Sequence, residues 1–389
     1  MQQGTITMDV QVHTAHLHNA LERIQLAAKH FGYLGSPGTV HLHSEGTAIS
    51  LTIDGAMRKL SLRTTGSVAR TGGILLPLSD VATMIAQLPA TVIRLEVDPP
   101  GRQLTITSPG LVITLQGQAP LDVPTMLSSV QWFTLGRCSA HALHHAIEQV
   151  RYAIGTNERR PVLNGARLQV HGAQASLSAA DGFRVAHTEI LLTEPAQHAH
   201  DLIIPRDDLY ALDSILNGTR EAATLRVSPS GSIMMFSTSW ADYACDTIEG
   251  EYPDISRFVP SAPETYAEIV TQSLREAIQI IMCLGYLADR GCIALELVPV
   301  SPLATSHVIV KATATDGDAV RSTCEGLVHG QARSSWLNSI FLRDSLEAIR
   351  TEYIHIEVTG TNGPIYLRPV GFPEDWHLIM TMSQPRDAA

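Results

Sequence analysis

Residues 157–185 read NERRPVLNGARLQVHGAQASLSAADGFRV, and this stretch decides the interpretation of the chain. It holds two short runs in which apolar and polar residues alternate, joined at His171-Gly172, and a second turn at Asp181-Gly182. Alternation with a period of two is typical of strands that bury one face, and glycine in a short polar link is typical of a tight turn. The stretch therefore predicts a pair of short strands followed by a turn.

Weaker copies of this pattern occur near residues 36–58 and 290–321, each with its own Asp-Gly turn, at Asp54-Gly55 and Asp316-Gly317. The repeat is about 125–135 residues long, which is too long for a solenoid unit and indicates duplicated domains. The polar and proline-rich interruptions predict three domains, at residues 1–127, 128–260 and 261–389, the last with a short C-terminal tail.

Each repeat also contains two segments in which apolar residues recur with a 3.6-residue period, as in an amphipathic helix. Thr14 is the predicted N-cap of the first segment, and Pro77 is placed near the first helical position of the second. The six predicted helices cover residues 14–29, 77–88, 139–154, 205–216, 271–287 and 339–350.

Composition excludes several classes of protein. The chain has 389 residues, of which 44% are hydrophobic and 17% charged, as expected for a folded protein with a sizeable core. No apolar run approaches the roughly 18 residues that span a bilayer, and the N-terminus lacks the features of a signal peptide, so we expect a cytoplasmic protein. Five irregularly spaced cysteines are interpreted as reduced thiols. The net charge of −11 argues against nonspecific wrapping of nucleic acid unless basic residues gather on one face.

Motifs of catalysis are missing from the sequence. It contains neither a phosphate-binding loop nor a nucleophile elbow. Histidines cluster at two predicted helices, which leaves a metal-dependent enzyme as an alternative, although solvated helix faces explain them more simply. These histidines are His13, His16, His18, His141, His144 and His145. We predict no catalytic residue, no cofactor and no metal.

Four blocks carry a resemblance to a known family. They are ERRPVLNG at 158–165, ADGFRVA at 180–186, EGEYPD at 249–254 with Arg257 and Pro260, and LIMTM at 378–382. In this order they resemble the bacterial beta sliding clamp, the beta subunit of DNA polymerase III. The first domain is similar mainly in its pattern of strands and helices.

The resemblance implies an α+β fold of three tandem clamp domains, each with two helices packed on antiparallel sheets. A head-to-tail homodimer would close six such domains into a ring around duplex DNA, with no chemistry of its own. The ring would bind DNA independently of sequence. It would tether the DNA polymerase III catalytic subunit, the clamp loader and repair proteins through short linear motifs.

The resemblance also implies site residues. A peptide-binding pocket would be formed by Leu163, Ala180, Gly182, Phe183, Arg184, Val185, Pro253, Arg257, Phe258, Leu378, Ile379, Met380, Thr381 and Met382. DNA phosphates would meet Arg23, Lys29, Arg151, Arg159, Arg160, Arg206, Arg275, Arg343 and Arg350. The dimer would pair the strand of Leu111, Ile113 and Leu115 with the region of Cys283 and Leu284 in the partner.

Departures from the family pattern keep an alternative open. Thr381 stands where the family usually has proline, and residues 383–389 extend past the last strand, where they could lie over the pocket. The helix at 77–88 has no basic residue, and the helix at 205–216 has one arginine against three aspartates. The alternative is a divergent paralogue that keeps the ring and the pocket but grips DNA weakly.

Overall fold

A computed structural model describes residues 8–31, 38–46, 48–55, 58–120, 130–258, 263–283, 291–300, 306–313, 319–360 and 363–383. The chain divides into two compact units. The first comprises Met1–His144, Val170–Gln174 and Leu191–Glu249, and the second comprises His145–Gln169, Ala175–Ile190 and Gly250–Ala389. Among the described helices, none has the length and apolar character needed to cross a bilayer.

In the described residues, six α-helices alternate with groups of strands. The helices are α1 (Thr14–Ala28), α2 (Leu78–Gln87), α3 (Ala140–Val150), α4 (Arg206–Leu216), α5 (Thr271–Cys283) and α6 (Ser339–Ala348). The strands before α4 are β1 (Asp9–His13), β2 (Thr39–Glu45), β3 (Ala48–Asp54), β4 (Arg58–Thr65), β5 (Ser67–Arg70), β6 (Gly72–Pro77), β7 (Val92–Val97), β8 (Gln103–Ser108), β9 (Leu111–Gln116), β10 (Phe133–Ser139), β11 (Gly165–His171), β12 (Gln174–Ala180), β13 (Arg184–Leu191) and β14 (His200–Pro205). The later strands are β15 (Ala222–Val227), β16 (Ile233–Ser237), β17 (Ala241–Asp246), β18 (Thr265–Val270), β19 (Cys292–Val298), β20 (His307–Thr313), β21 (Ala319–His329), β22 (Arg333–Asn338), β23 (Tyr353–Val358), β24 (Ile365–Pro369) and β25 (Trp376–Ile379).

The same order of elements occurs three times along the chain. One strand leads into a helix, a group of hairpin strands follows, and a second helix is followed by three more strands. The predicted α+β clamp architecture is therefore confirmed at the level of the elements. The residues at both predicted domain boundaries lie outside the described part, and the boundaries at 127 and 260 stay a prediction.

Each unit contains its own strand arrangement. The first unit contains a five-stranded sheet in the order β5-β1-β7-β8-β9 and an eight-stranded sheet in the order β10-β15-β16-β17-β4-β3-β2-β6. In the second unit the strands lie in the order β11-β12-β13-β25-β24-β23-β18-β21-β20-β19-β22. Helix α1 packs against α2, α4 and β4, and α5 packs against α6 and β21. Each helix pair thus covers the apolar face of the strands beside it.

One type of strand pairing occurs twice. The last strand of a repeat pairs antiparallel with the third hairpin strand of the preceding repeat: β17 with β4 in the first unit, and β25 with β13 in the second. Cys245 faces Arg58 in the first pairing, and Ile379 faces Arg184 in the second. Arg58 and Arg184 therefore occupy equivalent positions.

The first of these junctions is filled by side chains. Asp208 accepts hydrogen bonds from Arg58 Nε at 2.6 Å, from Arg58 Nη2 at 2.8 Å and from the Tyr243 hydroxyl at 2.6 Å. The ring of Phe31 packs edge-on against Tyr243, with 6.2 Å between the centroids. The Asp208 side chain is 1% exposed, so the junction is a closed polar core in which each charge has its partner.

The predicted turns at Gly172 and Gly182 are confirmed, and one predicted helix cap is wrong. The predicted turn glycines Gly172 and Gly182 have φ of +57° and +97°, a conformation that L side chains rarely adopt. The prediction that Thr14 caps α1 is wrong: His13 is the N-cap, and its Nδ1 accepts from the Ala15 amide at 3.2 Å. Thr14 instead donates to the Pro89 carbonyl at 2.9 Å. The Asp316-Gly317 turn lies outside the described residues.

The buried ion pair of the first junction yields a stability prediction. Asp208→Asn removes the charge that balances Arg58, and an uncompensated buried charge costs about 3 kcal/mol of unfolding free energy. Urea unfolding of the full chain measures this loss. Asp207→Asn is the matched control, because Asp207 is 55% exposed and 4.0 Å from Arg58, and a change of about 0.5 kcal/mol or less is expected there. Equal losses in the two variants would contradict the assignment.

Candidate functional site

The turn before β13 presents an aromatic side chain to solvent. Asp181 Oδ1 accepts from the amides of Phe183 at 2.9 Å and Arg184 at 3.0 Å, which fixes the turn. Gly182 supplies its positive φ. The Phe183 side chain is left 62% exposed, with its ring stacked at 6.2 Å on the ring of Phe341.

The C-terminal strand lies directly beside this turn. The β13–β25 pairing places Val185 opposite Leu378, and the Met380 amide extends it by donating to the Phe183 carbonyl at 2.8 Å. Leu378 and Ile379 are buried, whereas Met380 is 41% exposed. Met382 then donates to the Trp336 carbonyl at 2.7 Å and is 37% exposed. The strand thus has a buried half that anchors it and a methionine-rich end at the surface.

The segment that follows EGEYPD borders the same strand ends. The Tyr252 hydroxyl accepts from the Ala180 amide at 2.9 Å, at the end of β12, and burial raises the pKa of Tyr252. The Tyr366 hydroxyl on β24 donates to the Phe258 carbonyl. Phe258 is 41% exposed, and Arg257 lies further out, paired with Asp254 at 3.1 Å. Pro253 is also exposed.

A short 3₁₀ turn, Pro161–Asn164, supports the other side. The Leu163 carbonyl accepts from the Gly155 amide at 2.8 Å, and the Leu163 side chain is buried. A Cβ placed on Gly182 would lie 3.6 Å from Arg160 Nη1, so Arg160 reaches the turn that carries Phe183. Leu163, Ala180 and Val185 are all buried and act as support rather than as open surface.

Together these elements form a candidate cleft with an apolar rim. Phe183, Phe258, Met380 and Met382 expose large apolar side chains around the ends of β13, β24 and β25. Exposed apolar groups gathered at one place indicate a binding surface, and flexible methionines adapt to different ligands. Thr381 is half-buried, and residues 384–389 lie outside the described part, so the expected covering tail stays a prediction.

Arg184 is held by residues that the sequence did not indicate. Its Nε donates to Asp181 at 2.9 Å and its Nη1 donates to Asp344 at 2.8 Å. The guanidinium also lies 4.6 Å from the ring centroid of Phe341 and 5.1 Å from that of Tyr152. Phe341 and Asp344 are three residues apart on α6, a spacing that places both on one helix face and that could have drawn attention to them.

Four of the arginines predicted to meet DNA are engaged by hydrogen bonds or ion pairs within the protein. Arg23 donates to the Ile215 carbonyl and lies 5.0 Å from the ring of Trp240. Arg275 Nη2 donates to the carbonyls of Leu346 and Ile349 at the end of α6, at 2.8 and 2.9 Å. These two side chains therefore serve first as links between elements.

Other members of this set pair with acidic groups or remain exposed. Arg343 pairs with Asp344 at 2.6 Å, and Arg350 pairs with Glu148. Arg159, Arg160 and Arg206 are exposed, and the Arg206 guanidinium lies 5.4 Å from the Tyr210 ring. Lys29 is exposed as well, and Arg151 is half-buried. Pairing with carboxylates lowers the net positive charge that these helices offer to a polyanion.

The predicted dimer strand lies at an edge. Among the described strands, β9 pairs with β8 alone. Ile113 and Leu115 face Ile106 and Leu104, which are buried, yet they are themselves only half-buried, and Leu111 is 44% exposed. The side chain of Cys283 and all of Leu284 lie outside the described residues.

The histidines are spread over separate environments. His13 caps α1, and its ring centroid lies 5.6 Å from that of His16. His144 Nε2 lies 3.4 Å from Asp213 Oδ1, and the His145 ring lies 6.2 Å from that of Phe372. His18 is half-buried and His141 is exposed.

Comparison with known proteins supports one family. A family model described as the central domain of the DNA polymerase III beta subunit matches residues 138–254. The beta sliding clamp of Staphylococcus aureus strain Mu50 is 25% identical over 317 residues, 81% of each chain. That of Staphylococcus epidermidis is 26% identical over 306 residues, 78% of each chain.

Solved structures share the fold over nearly the whole length. The DNA polymerase sliding clamp of Bacillus subtilis superposes with a TM-score of 0.83 at 16% identity, covering 97% of this chain and 100% of the other. The clamp of Pseudomonas aeruginosa gives a TM-score of 0.79 at 20% identity, with the same coverage. Residues 138–254 thus match the central domain of the DNA polymerase III beta subunit, and over nearly its whole length the chain shares the fold of bacterial sliding clamps.

Proposed function

We propose that two copies of this chain close into a ring around duplex DNA and tether DNA polymerase III and other partners to it. The function is mechanical and non-catalytic. The observation that carries it is the candidate cleft, where the exposed side chains of Phe183 and Met380 lie beside the turn that leads into a fixed Arg184. The clamp relatives and the shared fold support the same assignment.

The cleft suits a short apolar peptide. Phe183, Met380 and Met382 offer apolar area, and burying it drives binding without a demanding geometry. Arg184 donates through Nε to Asp181 and through Nη1 to Asp344. The Nη2 group is then the donor that would bind a peptide carbonyl. Binding partners of this class are the polymerase catalytic subunit, the clamp loader and repair proteins.

The cleft is tested with Met380→Ala combined with Arg184→Ala. The probes are fluorescein-labelled, overlapping short peptides of the polymerase III catalytic subunit, and the tightest binder in fluorescence anisotropy becomes the probe peptide. The double variant is expected to weaken its binding at least about 100-fold, because an apolar anchor and the central cation are both lost. Analytical ultracentrifugation is expected to show an unchanged dimer. Unchanged peptide affinity would refute the cleft.

The dimer contact follows from the repeated strand pairing. In both junctions of the chain, the last strand of a repeat pairs with the third hairpin strand of another: β17 with β4, and β25 with β13. The equivalent partner for β9 is β21. Residues 319–325 of β21 pair with β20 on one side only, among the described strands. We infer that β9 of one protomer pairs with this free edge in the other, and two such contacts close a ring.

Ile113→Asp tests this contact. The variant places a charge on the half-buried face of the edge strand, where a partner strand would cover it, and such inward charges block edge pairing. Sedimentation is expected to show monomers at concentrations where the wild type is dimeric. Thr114→Asp is the matched control, because Thr114 is exposed on the opposite face of the same strand. A dimer that survives Ile113→Asp would exclude β9 from the interface.

The grip on DNA is expected to be weak, because several helix arginines are paired internally. In a binding assay with a short duplex, the salt dependence should correspond to only about one to three released counterions. Arg151→Glu should lower the affinity further, whereas Arg137→Glu, on strand β10 and paired with Glu194, should not. A steep salt dependence, or no effect of Arg151→Glu, would contradict these assignments.

A further inference from the structure

Behind the cleft, a buried chain of hydrogen bonds connects three elements of the second unit. Tyr152 belongs to the 3₁₀ turn Arg151–Ala153 that follows α3, Gln149 lies on α3, and His377 lies on β25. The Tyr152 hydroxyl lies 2.9 Å from His377 Nδ1, and His377 Nε2 lies 3.1 Å from Gln149 Oε1. Gln149 Nε2 donates to the Ala348 carbonyl at 2.6 Å.

The direction of this chain is determined by its ends. Since the Gln149 amide nitrogen donates to Ala348, its oxygen faces His377, and Nε2 of the imidazole must carry the proton. Nδ1 of His377 then carries no proton, and it accepts the hydrogen bond that the Tyr152 hydroxyl donates. The Tyr152 oxygen is left to accept from Ser345 Oγ, 3.0 Å away.

Both ends of this series of hydrogen bonds lie on α6, at Ser345 and Ala348. The series therefore connects α6 to α3 and to β25. His377, Ser345 and Gln149 are at most 2% exposed. Burial lowers the pKa of His377 to about 3, so the imidazole is neutral and keeps one donor and one acceptor. A neutral imidazole is the form that the hydrogen bonds require.

The chain ends at the groups that hold Arg184. The Tyr152 ring lies 5.1 Å from the guanidinium, and Asp344, which accepts from Nη1, is the neighbour of Ser345 on α6. The single hydrogen of the Ser345 hydroxyl is shared between the Tyr152 oxygen at 3.0 Å and the Phe341 carbonyl at 2.8 Å, and the Phe341 ring faces Arg184. His377 directly precedes the strand residues Leu378 and Ile379 that form the floor of the cleft.

We propose that Tyr152, His377 and Gln149 are positioning residues of the peptide cleft, and that they act by holding Arg184 in the orientation that receives the peptide. This proposal rests on the proposed function, because it explains how the same cleft is ordered before a peptide binds. Preorganised groups bind more tightly, since their ordering does not have to occur on binding.

Tyr152→Phe is the sharpest test, because it keeps the ring beside Arg184 and removes only the hydroxyl. The affinity for the probe peptide is measured in the wild-type background and in an Arg184→Ala background. If Tyr152 acts through Arg184, Tyr152→Phe should lower the peptide affinity about tenfold in the wild-type background and less than about twofold in the Arg184→Ala background. Such non-additivity is expected of residues that act as a unit. A merely structural role would cost the same in both backgrounds, and that result would overturn the proposal, as would no loss in either.

Two controls keep the outcome decisive. Tyr353→Phe removes a hydroxyl from a 39% exposed tyrosine of the same unit and should leave peptide affinity unchanged. If Tyr152→Phe fails to fold in urea unfolding, Ser345→Ala replaces it in the same two backgrounds, with a loss confined to the wild type again expected. Failure of the wild-type chain to bind any polymerase peptide would count against the proposed function instead.

Discussion

The antiparallel pairing of β13 with β25 is the constraint on which the candidate site depends. It joins residues almost 200 positions apart, because Arg184 faces Ile379 and His187 faces Trp376. The turn with Phe183 and the methionine-rich end of β25 share one edge only through this pairing. A slip by one residue would exchange the faces to which Leu378 and Ile379 point and disrupt the packing of both side chains. The buried hydrogen bonds of His377 with Tyr152 and Gln149 stabilise that register.

The same pairing builds two different junctions from equivalent positions. In the first unit, Arg58 meets a buried carboxylate, Asp208, and the rings of Phe31 and Tyr243 occupy the space around it. In the second unit, Arg184 meets Asp181 and Asp344 at the margin, and Phe183 turns outward. The replacement of Tyr243 by His377 at the equivalent strand position redirects the hydrogen bond from a carboxylate toward Tyr152. One junction is therefore closed, whereas the other leaves the Phe183 side chain exposed at its margin.

Electrostatics restrict what the helices can do. A chain with a net charge of −11 could still hold DNA if its basic residues were free on one surface. Arg275 is instead engaged with the carbonyl end of α6, and Arg343 and Arg350 have carboxylate partners. These arginines stabilise helix ends and contacts between elements. The proposed ring would therefore rely on closure through β9 more than on attraction to phosphates.

The sequence was informative where a local rule governs the structure. Periodicity located all six helices, and the requirement for a positive φ located the turns at Gly172 and Gly182. It also placed Phe183, Arg184 and Met380 in one site through a family resemblance. It could not indicate Tyr152 or His377, because their contact joins positions 225 residues apart in the chain, for which no spacing rule exists. Buried polar contacts of this kind are specified by the packed structure, and they decide whether an apolar surface is a stable support or a prepared binding site.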